Sequence, residues 1–507
     1  MNFPSRDIQK LLLIQPPFTL LRDEAKGCQV PLGLGYLAAV MKPRLQVHIL
    51  DAVVEGYATE VKVDSERFTY GLTDQEIRAA LSGYAPDLVG VSCLFSTQWR
   101  NAHRICQLAK EVNPETLTVM GGAHPSAAPM QTLVDQNVDF VVTGEGEQVF
   151  PQLVEAVRTG QPISDVAGIA YRDGSGVKIN SRKSFIEDLD ALPFPARHLL
   201  PMSKYFTIDR PHGTMSRFSP NTSMITSRGC PAHCVFCSIQ GVWGRTFRAR
   251  SAENVLAELE LLVRDYGVRE VHFDDDNLTY DQMRARQIFD GMVERGLHLA
   301  WTAPNGLAIH TLNDQLLEAM KASGCYRLHL AVESGDPEVL QRIIRKPLRL
   351  EKVPQIVASA KRLGLEVDAF FVIGLPGETR DQIRRTFEYA DRLQADHVAF
   401  YIATPYPGTD LEALCRAQGY ISPNLAFDDL RVRRGNIATP EFTGAELERM
   451  IASWELRLTA RQVFEPRMFF ERVIMRAWRD PRWAIGHGAR FARQWLRGLR
   501  WFWQFAR

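Results

Sequence analysis

Three cysteines lie close together near the middle of this 507-residue chain. Cys230, Cys234 and Cys237 have the spacing C-x3-C-x2-C and directly follow a short β-like run. Three thiolates on one loop can hold three irons of a [4Fe–4S] cluster and leave the fourth iron open to chelate an amine and a carboxylate. The spacing therefore predicts a cluster whose open iron binds a second molecule and passes an electron to it.

A closed structural zinc site is the alternative, with His233 or another cysteine as its fourth ligand. Such a site usually shows a second ligand pair at recognisable spacing, and none follows in this sequence. The remaining cysteines are isolated among apolar residues, which is typical of unreactive core thiols. They are Cys28, Cys93, Cys106, Cys325 and Cys415. We therefore favour the iron–sulfur cluster over zinc.

Polar residues and glycines follow three later β-like runs, where they would share one edge of a parallel sheet. They are Asp275 and Asp276 in F-D-D-D-N, Glu333 and Ser334 in V-E-S-G, and Gly374 in V-I-G-L-P-G-E. Carboxylates at such positions can pair with the ammonium group of a ligand. For the acidic run, a helix-capping turn before Asp281 is the alternative interpretation.

Two regions of alternating strands and helices must position these residues. Residues 1–158 contain five β-like runs separated by helical patterns, which predicts an α/β domain with a Rossmann-like parallel sheet. Residues 222–415 contain six βα units, which predicts an incomplete (β/α)6 barrel that works at the C-terminal ends of its strands. Residues 159–221 predict a linker with a small hairpin, and residues 416–507 predict a helical C-terminal region.

In the first domain, polar residues and glycines also stand at the carboxyl ends of the predicted strands, where open α/β sheets bind ligands. They are Asp51, Ser92, Gly121, Gly122, His124, Gly144 and Glu145. Glycines at such ends let the backbone approach a large ligand closely. A dinucleotide is disfavoured because no G-x-G-x-x-G follows the first strand.

The cysteine motif and the motifs after it resemble those of the radical S-adenosylmethionine superfamily. The acidic run resembles a segment that the cobalamin-binding branch has where other members carry a Gly-Gly-Glu turn. The resemblance implies that the three cysteines hold the cluster and that S-adenosylmethionine is bound beside it. It assigns the methionine ammonium to Asp275 and Asp276, the ribose and carboxylate to Glu333 and Ser334, and the adenine to Gly374 and Phe236.

The first domain resembles the cobalamin-binding domain of the same branch, through P-L-G-L-G-Y with Gly33, G-G-A-H-P with His124 and G-E-G-E with Glu145. Cobalamin is therefore the implied third cofactor. The D-x-H-x-x-G motif, which supplies an axial histidine in many cobalamin proteins, does not occur. This implies cobalt without a protein imidazole, so we expect His124 to touch the corrin or to bond to backbone rather than ligate cobalt. A flavodoxin-like partner module is the alternative for this domain.

The resemblance implies an enzyme that methylates an unactivated carbon of a small, lipid-like or tetrapyrrole metabolite. A 5′-deoxyadenosyl radical would remove hydrogen, methylcobalamin would supply the methyl group, and flavodoxin or ferredoxin would supply electrons. A cobalamin-dependent radical cyclase or ring-rearranging enzyme without methyl transfer is the nearest alternative. A methylthiotransferase is disfavoured because the first domain lacks a second set of three cysteines, and a zinc-stabilised binding module is the non-enzyme alternative.

The segment 482–507 combines arginine with tryptophan and phenylalanine and has no acidic residue. It suits an interfacial helix on anionic lipid, a terminal helix docked on the barrel, or nucleic-acid binding. The net charge of +1 disfavours nucleic acid, and membrane contact would suggest a hydrophobic substrate. Without a signal-peptide pattern or a membrane-length apolar stretch, we expect a cytoplasmic protein, peripheral at the membrane if the first interpretation holds.

Overall fold

The computed structural model describes residues 5–182, 184–213 and 216–464, with side chains up to residue 458. The basic and aromatic segment 482–507 lies outside the described residues, so its three interpretations stay open. No described helix combines the length and the apolar character that crossing a bilayer requires.

The first domain is an alternation of strands and helices around one large sheet. Its strands are β1 (Lys10–Gln15), β2 (Phe18–Leu21), β3 (Gln46–Asp51), β4 (Glu60–Lys62), β5 (Arg67–Tyr70), β6 (Leu88–Ser92), β7 (Leu117–Gly121), β8 (Phe140–Val142), β9 (Ile169–Asp173) and β10 (Gly176–Ile179). Its helices are α1 (Leu32–Met41), α2 (Ala52–Glu55), α3 (Asp74–Tyr84), α4 (Trp99–Val112), α5 (Ala123–Ala127), α6 (Pro129–Thr132) and α7 (Gly146–Thr159).

Within the described residues, the large sheet has the strand order β10-β9-β8-β7-β6-β1-β3. The strands from β8 to β3 pair in parallel, which confirms the predicted Rossmann-like sheet. The order of the strands reverses between β1 and β6. In open α/β sheets the ligand crevice lies at this switch point, so the edge beyond β1 and β6 is where the domain should bind its ligand.

The segment 159–221 is more than the predicted linker. Its hairpin, β9 and β10, adds two antiparallel strands to the large sheet, because Ile169–Asp173 pairs along Phe140–Val142. Further along, Arg197 is buried and donates a hydrogen bond to the Glu258 carboxylate of the barrel region. A helix, α8 (Met202–Ile208), follows. The segment is therefore a packed connection between the two domains.

A small antiparallel sheet of β2, β5 and β4 covers one part of the first domain. The strands of this sheet were not predicted, because three or four residues per strand are too few for an alternating pattern to stand out. The sheet lies beyond the carboxyl ends of β1 and β3, since each of its strands follows one of them in the chain. It therefore adds walls at the edge of the large sheet where ligands bind.

The second domain repeats the strand–helix unit. Its strands are β11 (Asn221–Met224), β12 (Ser227–Arg228), β13 (Arg248–Ala249), β14 (Glu270–Phe273), β15 (Ala300–Thr302), β16 (Cys325–Glu333), β17 (Glu366–Ile373) and β18 (His397–Ile402). Its helices are α9 (Ile239–Trp243), α10 (Ala252–Tyr266), α11 (Gln282–Glu294), α12 (Asp314–Ala322), α13 (Lys352–Arg362), α14 (Arg380–Arg392) and α15 (Asp410–Ala417), followed by α16 (Gly444–Phe464).

The order β11-β14-β15-β16-β17-β18 follows the chain, and all neighbours pair in parallel, which confirms the partial six-stranded barrel. The first strand of the barrel does not continue to the cysteine loop. The strand ends at Met224, and Ser227 starts a separate two-residue strand. The break arises because Thr226 turns its backbone N–H to the Asp275 carboxylate at 3.1 Å instead of to a neighbouring strand.

The prediction of a helical region over residues 416–507 is wrong for its first part. Between α15 and α16 the only helical turn among the described residues is a short one at Phe427–Asp429. Pro423, Gly435 and Pro440 interrupt this stretch and prevent a regular helix. Helix α16 then begins at Gly444 and packs beside β17 and β18, with Trp454 at 4.7 Å from the ring of Phe400.

Candidate active site

The three motif cysteines lie on the loop between β12 and α9, and all three are half-buried. The middle of this loop is fixed by Val235, which donates its N–H to Ile344 at 3.1 Å and accepts from Leu411 at 2.9 Å. At its start Gly229 has φ +80°, and a Cβ there would lie 2.3 Å from the Thr246 carbonyl oxygen, so only glycine fits. The loop is therefore anchored on both sides of its cysteines.

Two of the three thiols lie in surroundings that disfavour the thiolate. Burial raises the pKa of Cys234 to about 11 and that of Cys237 to about 12, so a cation must displace their protons. Among the described residues, no three His, Cys, Asp or Glu side chains already converge on one point. His233, the alternative zinc ligand, is exposed and contacts the guanidinium of Arg245. The other cysteines are buried, as expected for core thiols.

The two carboxylates after β14 have different surroundings. Asp275 is buried and accepts hydrogen bonds from the Thr226 backbone and hydroxyl and from the Ser227 hydroxyl. Asp276 has a shielded Oδ2 with no partner among the described residues, and burial together with Asp275 raises its pKa to about 7. The neighbouring Asn277 directs its Nδ2 to Cys230 Sγ at 3.9 Å. We therefore expect Asp276 to bind a ligand ammonium and Asp275 to position it.

Glu333 is linked to the cysteine loop by Lys346, which was not among the predicted site residues. Its carboxylate accepts a hydrogen bond from Lys346 Nζ at 2.8 Å, and both side chains are about nine-tenths buried. Burial lowers the pKa of the Lys346 ammonium, but Glu333 and the thiols of Cys234 and Cys230 raise it by more, so Lys346 stays charged. Glu333 also has φ +70°, a conformation that is uncommon for a non-glycine residue.

The other residues predicted to contact S-adenosylmethionine have structural partners. Ser334 is fully buried, and its hydroxyl contacts Thr386 Oγ1 at 3.0 Å and accepts from the Asp336 N–H. Gly374 donates its N–H to the buried Glu378 at 2.7 Å and lies against α16. Phe236 is half-buried and packs on the barrel core. Their predicted contacts to the ligand stay predictions.

The interior of the barrel is polar, which the sequence analysis did not foresee. On β14, Val271 and Phe273 pack outward on the helices, and the alternate residues His272 and Asp274 line the other face. The ring of His212, from the connection, stacks on His272 at 5.4 Å and lies 3.3 Å from Asp274 Oδ1. Polar residues alternate with apolar ones on β14, whereas buried parallel strands are usually apolar throughout. This alternation in the sequence could have indicated the polar interior.

The next strands continue this polar lining. His329 Nδ1 on β16 lies 3.3 Å from Asp368 Oδ2 on β17. Burial and Arg327 lower the pKa of His329 to about 3, so this ring is neutral. Nδ1 of His272 is buried without a partner among the described residues. Imidazoles and carboxylates inside a barrel form a surface that hydrogen-bonds a polar ligand.

The ligand edge of the first domain is apolar and open at the switch point. Leu94 and Phe95, just after β6, are 49% and 56% exposed. Gly33 is exposed, with no atom within 4 Å of where a side chain would begin. Gly122 has φ +111°, and a Cβ there would lie 2.7 Å from the Cys93 carbonyl oxygen, so the close turn after β7 requires glycine. Two adjacent exposed apolar side chains at the switch point form a surface that the apolar face of a ligand can cover.

Three residues predicted at this edge are already engaged. Asp51 caps α2 through the Val53 and Val54 N–H groups and accepts a hydrogen bond from the Tyr205 hydroxyl. His124 is buried, with Nδ1 at 3.0 Å from Ser96 Oγ. Glu145 forms the interdomain contact described next. Ser92, Gly121 and Gly144 lie at the ends of β6, β7 and β8, as predicted.

A buried ion-pair cluster joins this edge to the cysteine loop. Glu145 Oε1 lies 3.0 Å from Arg228 and 2.8 Å from Arg248, and Glu147 lies 2.6 Å from Arg228. Arg228 immediately precedes Gly229 and the first motif cysteine. Removing one partner of such a buried pair typically costs about 3–5 kcal/mol, so the cluster fixes the two cofactor-binding edges relative to each other.

Comparison with known proteins agrees with this geometry. Residues 19–154 match the B12 binding domain model, and residues 224–390 match the radical SAM superfamily model. Cytidylyl-2-hydroxyethylphosphonate methyltransferase of Streptomyces wedmorensis is 36% identical over 90% of this chain and 91% of its own. The chain belongs to the cobalamin-dependent radical S-adenosylmethionine methyltransferases. The alternative of a zinc-stabilised binding module is therefore set aside.

Two further proteins are similar to this methyltransferase. An uncharacterized methyltransferase of Pyrococcus horikoshii is 34% identical over 80% of this chain and 82% of its own. The solved radical S-adenosylmethionine methyltransferase TsrM of Kitasatospora setae, with cobalamin and a [4Fe–4S] cluster bound, superposes with a TM-score of 0.65. At 16% identity, over 82% of this chain and 76% of that one, this match shows the fold.

The methyltransferase uses a [4Fe–4S] cluster, S-adenosylmethionine and cobalamin, as predicted. The three half-buried thiols on an anchored loop fit the cluster, the unpaired Asp276 Oδ2 fits the ammonium, and the open apolar edge after β6 fits a corrin. The methyltransferase thus brings together the cysteines, Asp276, Glu333 and the edge of the first sheet.

We expect cobalt in the methyltransferase to carry no protein imidazole. His124 is buried, burial lowers its pKa to about 4, and its ring packs edge-on against Phe427 at 4.7 Å. Electron paramagnetic resonance of the cobalt(II) form should show no axial nitrogen splitting. The His124→Gln variant should give the same spectrum as wild type. An axial nitrogen signal that disappears in His124→Gln would contradict this expectation.

Proposed function

We propose that this methyltransferase methylates an unactivated carbon of a small polar metabolite that is bound in the barrel. The observation that carries the proposal is the polar interior formed by His272, Asp274, His329 and Asp368. A polyprenoid, sterol or tetrapyrrole would leave buried polar atoms of this lining that have no partner among the described residues, such as Nδ1 of His272, without a hydrogen bond, at about 1–3 kcal/mol for each. A polar substrate satisfies them, so we favour it over the lipid-like substrates considered from the sequence.

A known relative indicates which chemical class of substrate to test first. The Streptomyces enzyme is named for cytidylyl-2-hydroxyethylphosphonate, a nucleotide-linked phosphonate. Its similarity extends over nine-tenths of both chains, so it includes the residues that line the barrel. We therefore propose a nucleotide- or phosphonate-bearing metabolite as the substrate class.

We propose the following roles for the cofactors and for the side chains around them. When bound, the cluster with S-adenosylmethionine supplies the radical that removes hydrogen, and cobalamin supplies the methyl group. Asp276 and Lys346 orient S-adenosylmethionine beside the cysteine loop. His272 and His329 hold the polar part of the substrate and place its carbon at the barrel mouth. We propose a one-electron donor of the flavodoxin or ferredoxin type for reduction.

The test is an anaerobic assay with reconstituted enzyme, reductant, methyl-deuterated S-adenosylmethionine and cytidylyl-2-hydroxyethylphosphonate. We expect a product that carries the labelled methyl group on carbon, together with 5′-deoxyadenosine and S-adenosylhomocysteine. The Cys230→Ala variant is the matched control and should form none of the three. A rearranged or cyclised product without the label would show that the alternative without methyl transfer is correct.

A further inference from the structure

A cavity of about 550 Å³ lies between the small sheet and the connection of the two domains. Its walls carry more cations than carboxylates. The cations are Arg22, Lys26, Lys62 and Arg210, and the carboxylates are Glu24 and Glu60. The half-buried rings of Tyr57 and Phe68 complete the lining. A volume of this size suits a small-molecule ligand.

Both carboxylates of the cavity already have cationic partners. Glu60 lies 3.0 Å from Lys26 Nζ, and Glu24 pairs with Arg431 from the segment after β18. In the part of the chain that the structure describes, no carboxylate pairs with the side chains of Lys62 or Arg210. The cavity therefore presents uncompensated positive charge beside two aromatic rings, which is a surface for an anionic group attached to a planar ring.

Backbone and side-chain contacts connect the cavity to the barrel. Cys28 donates its N–H to the Arg210 carbonyl at 2.8 Å, which ties the two segments of the cavity wall together. One residue further, Gln29 donates to Ser223 Oγ at 3.0 Å and to the Asp274 carboxylate inside the barrel. Two residues after Arg210, His212 faces the same carboxylate. The same two segments thus form a wall of the cavity and a wall of the polar barrel interior.

We infer that this cavity binds the nucleotide phosphate of the substrate, with Lys62 and Arg210 pairing with its oxygens and an aromatic ring stacking on the attached base. The inference rests on the proposed function and assigns the anionic end of the substrate to a site apart from the reacting carbon. Binding energy from this remote end would hold the carbon in place at the barrel mouth. The phosphodiester of the cobalamin tail has the same anion chemistry, so the experiment must separate the two sources.

The experiment titrates the cobalamin- and cluster-loaded enzyme with cytidine 5′-monophosphate and, separately, with inorganic phosphate. The double variant Lys62→Gln, Arg210→Gln should bind both at least tenfold more weakly, about the loss of one charge-assisted bond. Its cobalamin and iron contents should equal those of wild type. The matched control is Lys178→Gln, an exposed lysine on β10 at the opposite edge of the sheet, which should bind like wild type.

Three outcomes would overturn the inference: no binding of either probe to wild type, equal binding by the double variant, or a loss of cobalamin from that variant. The last would assign the cavity to the cofactor tail. These results are independent of the labelled-methyl assay. If the double variant bound the probes more weakly but the wild-type enzyme formed no methylated product, the anion site would be supported. Only the proposed function would then be contradicted.

Discussion

Replacing Cys230, Cys234 and Cys237 together by alanine is expected to remove the iron–sulfur cluster and abolish 5′-deoxyadenosine formation. In the proposed site each thiolate would hold one iron, and the loop that carries the thiols is also anchored by the close approach at Gly229 and the backbone hydrogen bonds of Val235. The variant should therefore keep its fold while losing its chemistry. Iron and sulfide analysis and deoxyadenosine quantification under anaerobic conditions, with excess S-adenosylmethionine and reductant, measure both.

The chain offers a matched control in its other cysteines. Cys415 is buried on α15, so Cys415→Ala makes the same chemical change outside the cysteine loop. It should cost about 1 kcal/mol of stability and leave iron content and deoxyadenosine formation unchanged. Deoxyadenosine formation at the wild-type rate by the triple variant would refute the assignment of the cluster. Loss of iron in Cys415→Ala would show that the effect is not specific to the loop.

The sequence was most informative where one local pattern decides the structure. The strands of both parallel sheets are short apolar runs bounded by turn residues, and the cysteine motif needs a single loop, so both could be predicted. The stretch between α15 and α16 departs from the predicted helical region because Pro423, Gly435 and Pro440 interrupt it. Local sequence therefore predicted the framework and the loop on which the three cysteines lie.

Residues whose role depends on a distant partner could not be predicted in the same way. Lys346 belongs to no motif. Its role can be inferred only from the folded chain, in which its Nζ donates a hydrogen bond to Glu333. Glu145 was expected at a cofactor, but Arg228 and Arg248, more than eighty residues away in the chain, engage its carboxylate. A carboxylate at a strand end can serve a ligand or a neighbouring arginine, and only the tertiary contacts distinguish the two.

The structure distinguishes the two carboxylates of the acidic run after β14. The sequence treated Asp275 and Asp276 as equivalent, but only Asp276 has a carboxylate oxygen free of partners among the described residues. Asp276→Asn should therefore weaken S-adenosylmethionine binding about tenfold to a hundredfold, because a charge-assisted bond of roughly 1.5–3 kcal/mol is lost. Iron content should not change. Equilibrium binding to the cluster-loaded enzyme measures the effect.

The pH dependence of the same binding gives a second test of Asp276. Burial, reinforced by Asp275, raises the pKa of Asp276 to about 7, so the carboxylate gains a proton as the pH falls through that value. Pairing with an ammonium requires the ionised form, so wild-type affinity should fall between about pH 8 and pH 6. Asp276→Asn cannot ionise and should lose this part of the pH dependence.

The matched control is Asp281→Asn, the same change five residues further along the chain. Asp281 caps α11 by accepting the Arg284 N–H at 3.0 Å, and asparagine caps a helix equally well. Asp281→Asn should therefore bind S-adenosylmethionine like wild type, with the same pH profile. If Asp276→Asn also bound like wild type at every pH, the ammonium would have to pair elsewhere. Glu333 is the next carboxylate beside the loop, but its pairing with Lys346 would then have to break, and Glu333→Gln would reveal this as a loss of affinity.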